Sequence, residues 1–320
     1  MTSEAAFIAA LRAIATAPGA RGLMDDAAVL EIGGARLVLT MDALVEGVHF
    51  LPDDPADSVA WKLVATNVSD LSAKGARPRG CLLTYPLSAN EKWNLDFLRG
   101  LAEACTTFSI PLLGGDTVRQ PADSARSFSL VALGDVIKDV AVPSRAGARP
   151  GDVIWVTDTI GDAGLGLCLL RGETTAPAIH HDRLVGAYRW PQPRPDVGCA
   201  IAGYVSAMMD VSDGLLIDTA RLAKASGVQA VLDLDRVPLS QALIETDGDG
   251  LNARLSASCA GDDYCLLFTA APHQEDRIRS AATIVGGSVY PIGHIASGEC
   301  LELRHMGLPV ALPARLGYEH

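Results

Sequence analysis

Residues 40–50 read TMDALVEGVHF, a segment that begins as a strand and ends as a polar site. Its first residues are aliphatic and β-branched, which predicts a strand, and Asp42 then adds a carboxylate that stays on a buried face only when it is paired. Residues 27–32 predict a second strand, and Gly33-Gly34 between the two is typical of a tight hairpin turn. The segment therefore predicts a hairpin that carries a carboxylate into a site.

This hairpin is expected to bring carboxylates together at its open end. The glycine turn pairs Ala28 with Leu39. Continued outward, the same register places Asp25 opposite Asp42, with Asp26 beside them. Like charges directly opposite each other are destabilising, and a bound cation would relieve the repulsion.

The length and composition indicate a globular protein with an acidic surface. A chain of 320 residues exceeds one typical core, so we expect two domains. Hydrophobic residues make up 49% and charged residues 20% of the chain, and the formal net charge is −12. This charge argues against nucleic acid or an anionic membrane as a partner. It leaves phosphorylated substrates open, since an acidic site can bind them through divalent cations.

The cysteines indicate a reducing compartment. There are seven, an odd number without a C-x-x-C pair, which is typical of reduced and mostly buried thiols. No apolar run approaches the roughly 18 residues that span a bilayer, and the N-terminal segment has neither a basic start nor a cleavage pattern. We expect a cytoplasmic location.

Hydrophobic periodicity predicts mixed helices and strands in the first half, in the order α, β, β, α, β, α, β, β. They include a helix over 58–74, whose Asn67, Asp70 and Lys74 share a polar stripe, and a helix capped by Asn90. A short strand over 110–113 is expected to stop at Gly114-Gly115-Asp116.

The second half repeats this mixture without a visible sequence repeat. Strands are predicted over 153–157, 208–213, 228–234, 264–269 and 289–295, and helices over 214–225 and 275–285. Prolines and glycines between 140 and 151 indicate a boundary, which divides the chain into domains 1–140 and 141–320. The predicted fold class is α+β, with two mixed α/β domains.

Aspartates recur at the ends of predicted elements, next to Gly, Ser, Thr or Asn. They form five groups: Asp25-Asp26, Asp42, the segment 67–70, the segment 114–117 and the segment 210–214. Each group alone is typical of a helix cap or a turn. Together they suit Mg²⁺ ions that bridge a polyphosphate, since Mg²⁺ takes one or two carboxylates plus substrate phosphates. Walker A and G-x-G-x-x-G signatures are absent from the sequence.

Three other residues have two interpretations each. His49 is either a structural hydrogen-bonding group or a ligand of a substrate phosphate. Arg145 is either an exposed linker side chain or a planar clamp for a nucleotide phosphate. Gly115 either belongs to a tight turn or lets the backbone approach a phosphate closely.

Taken in order, these motifs resemble the thiamine-monophosphate kinase family, in the superfamily of aminoimidazole ribonucleotide synthetase. The resemblance extends over nearly the whole chain. It rests on 25–29 (DDAAV), Asp42 with 45–50 (VEGVHF), 67–71 (NVSDL), 114–117 (GGDT), 144–145 (SR) with 150–152 (PGD), 210–214 (DVSDG), 261–264 (GDDY) and 317–320 (GYEH). The VEGVHF segment is the most diagnostic of the kinases.

The resemblance implies ATP-dependent phosphorylation of thiamine phosphate to thiamine diphosphate, by direct in-line transfer with several Mg²⁺ ions. Eight residues are implied to lie around the metals: Asp26, Thr40, Met41 (through its backbone), Asp42, Asp70, Asp116, Asp210 and Asp213. Asp42, Asp70, Asp116 and Asp213 are the implied catalytic residues. Gly115, Asp116, Arg145 and Ser212 are implied to bind ATP, and His49, Asp262 and Tyr318 to bind thiamine phosphate. The implied fold is a homodimer of the aminoimidazole ribonucleotide synthetase-like type, whose N-terminal sheets pair into a barrel.

Three positions depart from the family pattern. Residues 22–26 read GLMDD where G-x-G-D-D is usual, Asp262 stands where glutamate is usual, and Lys74 stands where methionine is common. Two alternatives remain: another ATP-using enzyme of the same superfamily that acts through an acyl phosphate, and a non-catalytic sensor that binds Mg²⁺ and nucleotide without turnover.

Overall fold

The structure is a computed structural model and describes residues 4–121, 124–137 and 139–319. The first half contains α1 (Glu4–Leu11), a 3₁₀ helix (Pro18–Leu23), β1 (Ala28–Ile32), β2 (Ala35–Val45), α2 (Ala56–Ala73), β3 (Ala76–Leu87), α3 (Glu91–Thr107), β4 (Leu112–Arg119) and β5 (Ser127–Val136). The order of α-helices and strands agrees with the predicted order.

The second half contains more elements than its sequence pattern predicts. They are β6 (Val153–Thr157), α4 (Asp162–Leu170), α5 (Ala178–Arg189), α6 (Pro195–Ile201), β7 (Ala207–Asp210), α7 (Leu215–Ser226), β8 (Gln229–Asp233), α8 (Gln241–Asp247), α9 (Leu251–Cys259), β9 (Leu266–Ala270), α10 (Glu275–Ile284), β10 (Val289–Ala296), β11 (Cys300–His305) and β12 (Leu308–Val310). Helices α5, α6, α8 and α9 and strands β11 and β12 were not predicted, because most are shorter than the window in which a period becomes distinct.

Two sheets organise the chain into the predicted pair of mixed α/β domains. The first has the strand order β1-β2-β5-β3-β4, and the second has the order β12-β11-β8-β10-β6-β9-β7. Helices α2 and α3 cover one face of the first sheet, where Leu44, Leu83 and Leu130 are buried. Helix α2 also contacts β7 and β9 of the second sheet, so it lies between the two halves.

In the part of the chain that the structure describes, no helix is both long enough and apolar enough to cross a membrane.

The predicted hairpin is present, with Ala28 opposite Leu39. Strand pairing ends at this residue pair and does not reach the aspartates. The prediction that Asp25 lies opposite Asp42 is wrong, because Asp25 binds the Lys74 ammonium instead. A buried carboxylate is stabilised by a cation and destabilised by a second carboxylate, which explains the departure from the ladder.

The glycine pair at 114–115 lies inside a strand. The prediction of a short strand that stops at Gly114 is wrong, because β4 continues to Arg119 in parallel with β3. A Cβ atom at Gly115 would collide with the Leu83 carbonyl oxygen. Only glycine lets β4 approach β3 so closely at this position.

Helix α3 holds α2 in place. It begins at the predicted cap, where Asn90 Oδ1 accepts a hydrogen bond from the Trp93 N–H at 3.1 Å. Near its middle, a Cβ atom at Gly100 would collide with the backbone of Asp57 in α2. The two helices therefore pack with their backbones in close approach.

We expect Gly100→Ala to lower the free energy of unfolding by about 1–3 kcal/mol, because the added methyl group forces α3 away from α2. Thermal unfolding of the purified variant measures the change. Gly186→Ala in α5 is the matched control, since nothing lies within 4 Å of a Cβ atom at Gly186. Equal losses of stability in the two variants would contradict the packing argument.

Candidate active site

A cleft of about 470 Å³ lies between the two halves of the chain, a size suited to a small molecule. Eight of the residues predicted for the site line it: Asp42, His49, Asp70, Asp210, Ser212, Asp213, Asp262 and Tyr318. Residues far apart in the sequence thus meet in one cavity.

Helix α2 supplies one polar wall of this cleft. Its polar face is a row at four-residue spacing: Lys62, Thr66, Asp70 and Lys74. Residues four apart are neighbours on a helix surface, so the row forms one stripe. Beside it, Asn67 Oδ1 accepts a hydrogen bond from the Asp42 N–H at 3.1 Å and ties β2 to the helix.

Three carboxylates in this region have no lysine or arginine partner among the described residues: Asp42, Asp70 and Asp210. Asp70 accepts a hydrogen bond from the Thr40 hydroxyl. Asp210 accepts one from the Ser69 hydroxyl at 2.7 Å. Hydroxyl groups are neutral, so the negative charges remain uncompensated.

Burial and mutual repulsion raise the pKa values of these three groups. Burial, and then the charges of Asp26 and Asp213, raise the pKa of Asp42 to about 6. Burial, and then Asp42 and Asp210, raise the pKa of Asp70 well above its usual value. Burial, and then Asp26, do the same to the pKa of Asp210. Protonation or a bound cation would relieve the repulsion.

Asp25 and Asp26 differ from these three carboxylates, because both form ion pairs with cationic side chains. Lys74 Nζ contacts Asp25 and lies 2.7 Å from Asp26 Oδ2, while Arg145 binds the other oxygen of Asp26. Burial alone would raise the pKa of Asp26, but Lys74 and then Arg145 outweigh it and hold that pKa below its usual value. Arg145 is therefore tied to the acidic cluster and is not an exposed linker side chain.

The donor set around Asp70 fits a hard divalent cation. Carboxylate and hydroxyl oxygens are the ligands that Mg²⁺ prefers, and the raised pKa values mark charges that a cation would stabilise. In the described ranges, no three His, Cys, Asp or Glu side chains already surround one ion position. A Mg²⁺ ion here would complete its shell with water or phosphate oxygens, as it usually does.

The loop that carries Ser212 and Asp213 is held by a carboxylate that the sequence analysis does not single out. Asp218 Oδ2 accepts hydrogen bonds from the N–H groups of Ser212 and Asp213, both at 3.1 Å. Arg221 bridges Asp213 and Asp218. Burial raises the pKa of Asp218 to about 6 although Arg221 opposes the shift. These contacts fix the loop at the edge of the cleft.

His49 reaches the cleft on a tight turn. Gly47 has φ +79°, and its N–H donates to the Phe50 carbonyl at 2.8 Å. His49 Nδ1 accepts a hydrogen bond from the Val45 N–H at 3.0 Å, so a neutral ring carries its proton on Nε2. An N–H donor of this kind suits a phosphate oxygen.

Lys62 is a functional candidate that the sequence analysis missed. Its Nζ donates to the His49 carbonyl at 3.1 Å and lies 2.9 Å from Asp262 Oδ2 and 3.9 Å from the centre of the Tyr188 ring. The Tyr264 hydroxyl donates to Asp262 Oδ1 at 2.9 Å. The sequence does contain a signal for Lys62, because it is a lysine inside an apolar helical run and shares a helix face with the polar residues four and eight positions later.

Asp116 and Gly115 do not line the cleft of a single chain. Strand β4 is separated from β2 by β5 and β3, about 14 Å at the usual strand spacing. Followed from strand to strand through the paired residues, Asp42 lies in the same cross-strand row as Gly115. Asp116 lies in the adjacent row. Successive residues of a strand point to opposite faces, so Asp116 and Asp42 lie on opposite faces of the sheet.

Two predicted residues are placed by their backbones, Met41 next to the cleft and Tyr318 in its lining. Met41 precedes Asp42, and its side chain is 63% exposed, so only its backbone carbonyl is suited to a metal. The Tyr318 N–H donates to the Asp213 carbonyl at 2.9 Å, which brings the C-terminal segment to the site. His320, which ends the GYEH motif, lies outside the described residues.

The fold and the acidic cleft define a family. The family described as AIR synthase related protein, N-terminal domain, matches residues 24–136, and the corresponding C-terminal domain matches residues 149–305. The chain therefore belongs to the AIR synthase related proteins.

Relatives within this family are more specific. The curated thiamine-monophosphate kinase of Caulobacter vibrioides is 40% identical over 312 residues, which cover 95% of this chain and 86% of the relative. The crystal structure of thiamine-monophosphate kinase from Stenotrophomonas maltophilia K279a is 36% identical, with a TM-score of 0.77 and coverage of 95% and 96%. A structure of AaThiL complexed with AMPPCP and TMP is 29% identical, with a TM-score of 0.85 and coverage of 99% and 97%. Among the AIR synthase related proteins, the chain belongs with the thiamine-monophosphate kinases, as its motifs predicted.

The raised pKa of Asp42 predicts a pH-dependent effect of Asp42→Asn in metal-free buffer. Because the pKa of Asp42 is about 6 in the folded protein and lower in the unfolded chain, the native state favours the protonated form, and this contribution to stability is lost as pH rises through 6. The stability of the variant relative to the parent protein should therefore increase by about 1–3 kcal/mol between pH 4 and pH 7.5.

Thermal unfolding in EDTA at several pH values measures this difference. Asp53→Asn, at an exposed position, is the control for the loss of a surface carboxylate. A pH-independent effect of Asp42→Asn would contradict the raised pKa of Asp42 in the folded protein.

Proposed function

We propose that this enzyme transfers the γ-phosphoryl group of ATP to thiamine phosphate and forms thiamine diphosphate. The observation that carries the proposal is the set of buried, mutually repelling carboxylates in the cleft, next to His49 and Asp262. Support comes from relatives named thiamine-monophosphate kinase and from the AaThiL structure complexed with AMPPCP, an ATP analogue, and TMP.

Several Mg²⁺ ions are part of the proposal. Their ligands would be Asp42, Asp70, Asp210 and Asp213, with the Thr40 hydroxyl and the Met41 carbonyl. Bound Mg²⁺ neutralises the polyphosphate and the charge of the transferred group.

The transfer is direct and in line. Phosphoryl transfer requires mainly positioning and charge neutralisation, which an acidic metal site provides without a protein nucleophile. The acceptor is a phosphate that is already ionised at neutral pH, so no general base is needed. We therefore infer a mechanism without a phosphoenzyme.

Residues on the two sides of the cleft bind the two substrates. His49 donates from Nε2 to the phosphate of thiamine phosphate, and Tyr318 and Asp262 contact its rings. Lys62 and Tyr264 hold Asp262, whose oxygens still have lone pairs for the amino group of the pyrimidine. Ser212 and Arg145 contact the phosphates of ATP, and Gly115, which does not line the cleft of its own chain, would contact them from a partner chain.

A homodimer is part of the proposal because a single chain leaves part of the first sheet uncovered. Strands β1 to β4 expose large apolar side chains, each by 40% or more: Leu30, Ile32, Met41, Leu82, Leu113 and Val118. The outer edge of β4 has no neighbouring strand among the described residues. A second copy, with the two N-terminal sheets paired into a barrel, would cover these residues and carry Asp116 to the partner's metal site.

A cytoplasmic location belongs to the same proposal. All seven cysteines are free thiols, as a reducing compartment favours.

Incubation of the purified protein with ATP, Mg²⁺ and thiamine phosphate tests the reaction, with thiamine diphosphate followed by chromatography. We expect the diphosphate from thiamine phosphate and none from thiamine. Asp70→Asn should keep the fold but lose turnover by at least about 10²-fold, the scale of removing a major electrostatic contribution to the transition state.

Controls separate the alternatives. Asp53→Asn should retain full turnover. Product only from a carboxylate or amide substrate would favour an enzyme that acts through an acyl phosphate, and Mg²⁺-dependent ATP binding without any product would favour a sensor. Normal turnover of Asp70→Asn would contradict the metal assignment.

A mixed dimer tests whether Asp116 acts in the partner's site. Asp70→Asn and Asp116→Asn should each inactivate a homodimer. A dimer of one Asp70→Asn chain and one Asp116→Asn chain keeps one intact site if Asp116 acts across the interface, and should show about half of the parent activity. Co-expression with two affinity tags isolates this dimer, and an inactive mixed dimer would place Asp116 in the site of its own chain.

A further inference from the structure

We propose that Lys74 takes the place of a metal ion. Its ammonium group is a tethered cation that occupies the position between Asp25 and Asp26, where the acidic cluster would otherwise bind a divalent ion. The inference rests on the proposed Mg²⁺ dependence. It changes the prediction for Asp26 from metal ligand to ion-pair partner.

The surroundings of the Lys74 ammonium are those of a bound cation. The side chain is fully buried, and Nζ contacts Asp25, lies 2.7 Å from Asp26 Oδ2 and donates a hydrogen bond to the Met208 carbonyl at 3.2 Å. Oxygens from three residues thus surround the ammonium group: Asp25 and Met208 accept hydrogen bonds from it, and Asp26 Oδ2 is an ion-pair partner. Such a shell of carboxylate and carbonyl oxygens is also what a divalent cation takes.

The outer oxygens of the two carboxylates are engaged as well. Asp25 Oδ2 accepts a hydrogen bond from the Ser144 hydroxyl at 2.8 Å and lies 3.0 Å from Arg21 Nη1. Asp26 Oδ1 binds Arg145. Each carboxylate thus lies between two cationic side chains, so a divalent ion bound here would lie next to positive charges that repel it.

The acidic cluster is therefore divided in two. Asp25 and Asp26 are neutralised by cationic side chains. Among the described residues, the hydrogen-bond partners of Asp70 and Asp210 are hydroxyl groups, which carry no charge. The charge of Asp26 is one of those that repel Asp42, Asp70 and Asp210. By standing next to Asp26, Lys74 reduces this repulsion at any Mg²⁺ concentration.

The tether has a simple physical advantage. Lys74 is the C-cap residue of α2, four residues after Asp70, so the helix and its cap carry both the proposed metal ligand and the cation that replaces a metal. A covalently attached charge does not dissociate, whereas a second or third Mg²⁺ ion must be bound from solution against its hydration. The chain should thus need fewer Mg²⁺ ions than a relative with methionine at this position.

Lys74→Met tests the inference, because methionine has a similar length and no charge. In EDTA its Tm should fall by roughly 5–15 °C, since two buried carboxylates lose a partner. Added Mg²⁺ should restore most of this loss, and the variant should bind one more Mn²⁺ ion per chain than the parent protein, as measured by calorimetry and by the EPR signal of free Mn²⁺.

Two variants serve as controls. Lys74→Arg keeps the charge and should bind the parental number of Mn²⁺ ions. Lys92→Met removes an exposed lysine that pairs with Asp96 and should change neither the Mn²⁺ number nor the response to Mg²⁺. A loss of Tm in Lys74→Met that Mg²⁺ does not restore, with an unchanged Mn²⁺ number, would reduce Lys74 to a structural role and overturn the inference.

Crystals of the parent protein with Mn²⁺ give an answer even if Lys74→Met does not fold. Anomalous scattering should place Mn²⁺ near Asp70 and Asp210 and none in contact with Asp26. A Mn²⁺ ion bound to Asp26 would overturn the role of Lys74 while leaving the Mg²⁺ proposal intact. Absence of Mn²⁺ from the whole cleft would instead contradict the proposed metal dependence, and the inference with it.

Discussion

The burial of several aspartates at the junction of the two halves is the constraint on which the rest of the structure depends. A carboxylate removed from water must be paired, hydrogen-bonded or protonated, and each neighbouring carboxylate increases the cost. The chain meets this constraint in two ways. Lys74 and Arg145 neutralise Asp26, whereas the Thr40 and Ser69 hydroxyls support Asp70 and Asp210 without neutralising them. The second group is left as a place where a cation is strongly stabilised.

Helix α2 connects this electrostatic problem to the fold. Its apolar residues contribute to the core under the first sheet, and its polar row lies at the boundary with the second half. The close approach of α3 at Gly100 fixes the position of α2, so the carboxylate and the two lysines on it are held in place. The same helix can therefore stabilise the fold through one face and assemble the site through another.

Phosphoryl transfer between two anionic substrates explains why such a site would be maintained. In the proposed reaction, repulsion between ATP and a phosphate acceptor is the main obstacle, and cations together with donors such as His49 Nε2–H and Arg145 would reduce it. The distance of Asp116 from the cleft of its own chain fits a site that two chains complete. A fold that leaves an apolar sheet face and an edge strand exposed is suited to this arrangement.

The sequence by itself determined the features that depend on neighbouring residues: the hairpin register at Ala28 and Leu39, the Asn90 cap, the presence of α2 and the acidic motifs that identified the family. Turn and cap chemistry acts over a few residues, so it is readable in order along the chain. The tertiary structure alone decided which charges meet. Lys62 reaches Asp262 across 200 residues, Ser69 reaches Asp210 across 141, and Lys74 rather than Asp42 faces Asp25. These contacts follow from the packing of α2 between two sheets, because the free energy of a buried charge depends on every group around it and not on its position in the sequence.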